Sequence, residues 1–220
     1  MLLYAVLNPD ELEPRMLEDR LYALQVKLFL KGVVENVVLL LDDCETMYKQ
    51  LVNQASKISS SRDKALQVLL EEILTKYRHK RFVTVESIEY RNHADDSSAS
   101  VVILNEDCFS YDAIIGCHEG ADKSRTIDMG EYEGSIFESN RKKYTQPYFL
   151  QSRSKNDVAA LLNRVFRYSR NVTILDSQIG KANSPDSFLI GLKYVLQVLN
   201  NCKSSRDAFK VELITLLSQR

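Results

Sequence analysis

Apolar positions along the chain recur at two spacings, and the switch between them predicts strands and helices in turn. The apolar run from Met1 to Leu7 is short, lacks a basic start and meets Asn8-Pro9-Asp10, so it predicts a first strand and not a signal peptide. Asn8 can cap a helix with Pro9 in its first position and Asp10, Glu11 and Glu13 close behind. Pro14 offers a later start, Leu17, Leu21, Leu24 and Leu28 follow at three-four spacing, and Gly32 marks the end. The run from Val33 to Leu41 then predicts a buried strand terminated by Asp42 and Asp43, and residues 44–58 a helix. Ser59, Ser60 and Ser61 form a break. Ser61 caps a helix extending to Lys80, with Leu66, Leu69, Leu70, Ile73, Leu74 and Tyr77 on its inner face.

The middle of the chain is strand-like. Residues 82–88 alternate, residues 92–100 form a polar loop, and residues 100–104 and 111–115 are further strands. Between Gly116 and Gly134 lie four of the seven glycines and many charges, which predicts a long, irregular, exposed connection. A helix over residues 157–168, capped by Ser154 or Asn156, is followed by a strand from Val172 to Leu175 closed by Asp176. A helix over residues 188–199 and a strand over residues 211–216 complete the pattern. Strands alternating with helices predict an α/β fold with a largely parallel sheet flanked by helices, in two α/β units. The boundary falls near Leu150: an N-terminal α/β domain over residues 1–150 and a partial α/β unit over residues 151–220.

Composition narrows the functional classes. With 45% hydrophobic and 27% charged residues over 220 positions, the chain has material for a normal core. A net charge of -1 gives no global case for nucleic acid or an anionic membrane, and no apolar run approaches the roughly 20 residues of a membrane span. The four cysteines contain no C-x-x-C pair, and the nine-residue step from Cys108 to Cys117 is a poor zinc spacing. Reduced thiols and a cytoplasmic location are the default for such a chain.

Three constellations carry candidate chemistry. Asp42, Asp43 and Asp112 lie at strand ends, and neighbouring strands would let them hold Mg²⁺ or Mn²⁺, with Glu71, Glu72, Asp107, Glu119 and Asp122 as further ligands. Nucleases of the PIN type resemble this layout of acidic strand ends. Arg78, Lys80 and Arg81, with Arg141, Lys142 and Lys143, are candidate phosphate contacts for nucleic acid. The segment His118-Glu119 followed by Asp122, Lys123 and Ser124 offers a base, an orienter and a nucleophile in one loop. Gly116 and Gly120 are not a phosphate loop, because no Gly-Lys-Ser/Thr ending follows.

The C-terminal portion carries an aromatic residue ahead of Arg170-Asn-Val-Thr-Ile-Leu-Asp-Ser-Gln-Ile-Gly-Lys181, then a helix with Gly191-Leu192 and Val198-Leu199, then Lys210-Val-Glu-Leu-Ile-Thr215. From Asp157 to Thr215 this resembles the opening half of phospholipase D-like domains, in the branch found in bacterial proteins. The resemblance implies a phosphodiesterase-like or nucleic-acid-associated component, such as part of a defence system. In that family a His-x-Lys motif supplies the nucleophile and the phosphate clamp. No His-x-Lys occurs in this chain, so no catalytic residue carries over. The resemblance also implies that the domain stops short. The strand over residues 211–216 is then expected to be covered by the N-terminal sheet, a protein partner or a second copy of the chain. The alternatives are a non-catalytic interaction module and a metal-dependent nuclease built on the strand-end aspartates.

Overall fold

The computed structural model describes residues 2–58, 64–91, 100–105, 110–116, 118–145, 155–168, 171–176, 185–202 and 210–215. The fold is α/β, and the chain divides into two compact units, Leu2–Pro147 and Tyr148–Arg220.

The first unit is built on β1 (Leu3–Leu7), β2 (Val37–Asp42), β3 (Phe82–Val85), β6 (Ala113–Ile115) and β8 (Thr126–Ile127). They form one five-stranded sheet in the order β3-β2-β1-β6-β8, and every pairing in it is parallel. All residues of β1 and β2 are buried, which is why both read as unbroken apolar runs. Helices α1 (Arg20–Glu35), α2 (Thr46–Ile58), α3 (Lys64–Thr75), α4 (Arg78–Arg81) and α5 (Ile136–Thr145) flank the sheet. A smaller sheet in the same unit joins β4 (Ile88–Arg91), β5 (Val101–Leu104) and β7 (His118–Glu119), with β4 antiparallel and β7 parallel to β5.

Several boundaries differ from the sequence reading. Asn8 does cap a turn, but it is a short 3-10 helix, Pro9–Leu12, and Asp19 caps α1 through bonds from the Leu21 and Tyr22 amides. The Leu17-to-Leu28 series is not the inner face: Leu21 is 73% and Leu24 47% exposed, while Ala23, Val26, Phe29, Leu30 and Val33 are buried. Gly32 lies inside α1, which runs on to Glu35, so Val33 belongs to the helix and not to β2. The helix expected to reach Lys80 stops at Thr75, and the alternating run at 82–88 splits between two sheets at Glu86-Ser87. The described residues of 116–134 are mostly exposed, as expected, but they are not one irregular loop. They supply β7, β8 and a 3-10 turn over Met129–Gly134 whose Met129 and Tyr132 are buried in the core.

The second unit holds α6 (Lys155–Phe166), β9 (Asn171–Asp176), α7 (Pro185–Cys202) and β10 (Lys210–Thr215). β9 and β10 pair in parallel, and Phe166, Val172, Val198 and Leu199 form a core joined by Ile174 and Val211. Cover of the last strand by the N-terminal sheet was the expectation. Within its own unit, among the described residues, β10 has β9 as its paired strand.

Candidate functional site

The order of strands locates a crevice. From β1 the chain moves outward through β2 and β3, then returns to the other side of β1 with β6 and β8. Open parallel sheets bind ligands at the carboxyl ends of the two strands that flank such a reversal, in this case β1 and β6. The residues after them stay side by side, because the Asn8 amide donates to the Ile115 carbonyl at 2.9 Å. Asn8 is buried, and its Oδ1 accepts from the Asp10 amide at 3.1 Å while its Nδ2 donates to the Ser100 carbonyl at 2.9 Å. Tyr90 of β4 donates to Asp10 Oδ1 at 3.2 Å. These two bonds tie the smaller sheet to the carboxyl edge of the larger one. Burial pushes the Tyr90 hydroxyl up to about 12.

Glu11 sits on the 3-10 turn after β1, directly over Gly116. Gly116 has φ +92°, and a Cβ there would lie 2.5 Å from Glu11 Oε1 and 2.8 Å from Asn8 Cβ. Only glycine tolerates both the backbone angle and the close approach. Glu11 Oε2 accepts a hydrogen bond from the Tyr22 hydroxyl. Burial raises the Glu11 carboxyl above the usual carboxylate range, the Tyr22 bond works against that, and the charges of Asp128 and Asp10 reinforce it. Tyr22 is pushed well above its ordinary value by burial and by Glu11, so it stays a donor. A carboxyl raised above its ordinary range in a strand-end crevice suits a general acid.

Gly116 also contacts His118 through its backbone. His118 Nδ1 lies 2.8 Å from the Gly116 carbonyl, and Thr126 Oγ1 lies 3.1 Å from His118 Nε2. A carbonyl only accepts, so in the neutral ring the proton is on Nδ1 and Nε2 accepts from the Thr126 hydroxyl. Ser124, the nucleophile type suggested by sequence, instead donates its hydroxyl and its amide to Asp122, at 2.7 and 2.9 Å. Cys117 lies outside the described residues.

The aspartate constellation is not brought together. The register sets Leu40 beside Val6 and Ala113 beside Ala5. Asp42 therefore lies two residues beyond Val6, towards the carboxyl edge, and Asp112 one residue before Ala5, towards the amino edge. Four residues of strand separate them, about 13 Å at roughly 3.3 Å per residue. Asp112 locks the register instead, accepting from the Tyr4 amide at 2.9 Å and donating its own amide to the Tyr4 carbonyl at 2.7 Å. Asp42 is 3% exposed and caps α2, its two oxygens accepting from the Thr46 and Met47 amides at 2.8 and 2.7 Å. Asp43 is exposed and accepts from the Cys44 thiol. Among the described residues no three His, Cys, Asp or Glu side chains are grouped to hold a metal ion.

Four of the six basic candidates are engaged within the fold, Lys142 through Glu138 Oε1 at 3.5 Å. Arg81 donates to the Val34 and Glu35 carbonyls at 3.2 and 2.6 Å, closing the end of α1. Arg78 lies 4.3 Å over the Tyr48 ring and 3.5 Å from Glu45. Arg141 is 6% exposed, paired with Glu138 and Glu35, and so unavailable to phosphate. Lys80, Lys142 and Lys143 are exposed. Comparison of the chain with protein-family models, curated proteins and solved structures finds no match.

Proposed function

We propose that the N-terminal unit is a hydrolase domain working by proton transfer at the carboxyl edge of its sheet, with Glu11 as acid and His118 as base. One observation carries this reading: two titratable side chains are held against the same residue, Gly116, at the reversal point of the sheet. Burial favours the protonated form of one, and hydrogen bonding leaves an accepting nitrogen on the other, which is the separation of roles that acid–base chemistry needs. The ligand is uncharged or cationic, because Asp10 and Asp128 set their negative charge on the surroundings of Glu11. A dinucleotide does not fit. The turn after β1 offers Pro9 and carboxylates where a pyrophosphate needs glycines and free amides.

The test compares an uncharged substrate, p-nitrophenyl acetate, with an anionic one, bis-p-nitrophenyl phosphate. The ester should turn over faster, and Glu11→Gln and His118→Gln should each slow it by about 10²-fold or more. Unchanged rates in both variants, or no turnover by the unmodified chain, would refute the reading, and preference for the phosphodiester would restore a phosphodiesterase assignment.

A second reading, association with nucleic acid, rests on the gathering of basic side chains at one end of α1. Arg81 and Arg141 both turn to Glu35, which brings their exposed neighbours Lys80, Lys142 and Lys143 to the same end. Replacing the three lysines together by alanine should reduce the slope of log K against log salt by about 2.7, at roughly 0.9 per phosphate contact. An unaltered slope would remove this surface from consideration.

A further inference from the structure

We propose that Thr126 is a covalent nucleophile activated by His118, and that the site transfers acyl groups from uncharged esters or thioesters. The inference rests on the carboxyl-edge site just assigned and names its chemistry. Nucleophile, base and orienter are in line: Thr126 Oγ1 is 3.1 Å from His118 Nε2, and His118 Nδ1 is 2.8 Å from the Gly116 carbonyl. Both distances fall within the range of hydrolytic triads, in which the third member fixes the tautomer and orientation of the ring. A backbone carbonyl does this as an aspartate does, without adding a charge. The only other acceptor near the Thr126 hydroxyl among the described residues is the Asp122 carbonyl at 3.4 Å, the longer and weaker alternative.

Nucleophile and base are each fixed by a strand. Thr126 opens β8 in register with Ile114, and His118 opens β7 in register with Val102. Thr126 is exposed on the outermost strand of the larger sheet, so a substrate reaches its hydroxyl. Charge selects the substrate class. Glu119, Asp122 and Asp128 outnumber Lys123 and Arg125 in the chain around the pair, so a neutral acyl group is favoured over a phosphate.

In the first step Thr126 Oγ1 bonds to the acyl carbon while its proton passes to His118 Nε2. The bond to the leaving alcohol or thiol breaks, and that group takes its proton from Glu11, the acid of the site. Water then gives a proton to Glu11 and its remaining hydroxyl to the acyl carbon. The ester bond to Thr126 breaks, Thr126 regains its proton from His118, and a carboxylic acid departs.

The experiment treats the full-length chain with a fluorophosphonate probe and maps the adduct by peptide mass, alongside p-nitrophenyl acetate turnover. The adduct should sit on Thr126, vanish in Thr126→Val, persist in Thr126→Ser, and form about 10²-fold more slowly in His118→Gln. Ser124→Ala, which alters only the neighbouring turn, should label like the unmodified chain. No adduct at Thr126, or a labelling rate indifferent to His118→Gln, would overturn the proposal. Ester turnover lost in Glu11→Gln and His118→Gln but retained in Thr126→Val would overturn the nucleophile while leaving the proton-transfer site standing. Turnover retained in all three would overturn both.

Discussion

Replacing Glu138 with alanine is expected to lower the free energy of unfolding by about 3 kcal/mol, because it leaves a buried guanidinium with only the half-exposed Glu35 as partner. Glu138 is 0% and Arg141 6% exposed. Arg141 Nη2 donates to Glu138 Oε1 at 2.8 Å, and the Tyr132 hydroxyl donates to Glu138 Oε2 at 2.8 Å. Burial alone would push the Glu138 carboxyl up, yet the bonds from Arg141 and Tyr132 outweigh it and hold it below its usual range. The pair is therefore ionised and fully used. Arg141 also reaches Glu35, the last residue of α1, and its carbonyl accepts from Asn36 Nδ2 at 3.3 Å. Its side chain crosses Gly32, where a Cβ would lie 2.7 Å from Arg141 Cδ. One arginine thus fastens α5 to α1. Denaturant titration should show a lowered midpoint with an unchanged slope. Glu138→Leu combined with Arg141→Met should be much milder than either single change, since it removes both charges together. A Glu138→Ala protein as stable as the parent would mean that the pair is solvated.

Arg141 shows where the sequence was and was not legible. In Arg141-Lys-Lys143 it reads as one of three surface cations, and nothing local reveals that a glycine 109 positions earlier makes room for it. The same glycine misplaced the end of α1. A glycine before two valines looks like a stop before a strand, but here it answers a close approach from another helix. The apolar runs of β1 and β2 were plain, because a strand buried on both faces needs no pattern beyond continuity. The leucine series of α1 misled because two apolar stripes share the helix, and only packing chooses between them. The aspartate constellation failed for a directional reason. Asp42 ends its strand and Asp112 precedes one, and in a parallel sheet those positions lie on opposite edges. The same rule would have found Glu11, since whatever follows the first strand of such a sheet arrives at the carboxyl edge. Tyr22, Gly116 and Thr126 could not have been joined to it from sequence, because their contacts with Glu11 and His118 depend on strand order.

Replacing Gly116 with alanine should abolish most of the activity assigned to the carboxyl edge and destabilise the N-terminal unit by about 1–3 kcal/mol. Three effects converge on this residue. At φ +92° a side chain is strained whatever space surrounds it. The added Cβ would also fall 2.5 Å from Glu11 Oε1 and 2.8 Å from both Glu11 Cγ and Asn8 Cβ, well inside van der Waals contact. Asn8 cannot give way, because its side chain is bonded to the Asp10 amide and the Ser100 carbonyl. Glu11 therefore moves, and its bond to Tyr22 is lost. The third effect runs through the carbonyl: relief of the backbone strain rotates the peptide that accepts from His118 Nδ1. With that bond gone, the ring is free to carry its proton on Nε2, where it cannot accept from Thr126. A misplacement of about 1 Å in such a group costs about 10²-fold in rate. Acid and base are displaced together, so the loss should exceed that of Glu11→Gln or His118→Gln alone. Turnover of p-nitrophenyl acetate and a thermal melt, measured on the same preparation, separate the two consequences. A Gly116→Ala protein that melts a few degrees lower but keeps full turnover would show that neither side chain takes part in the chemistry, and that the residue serves only the turn.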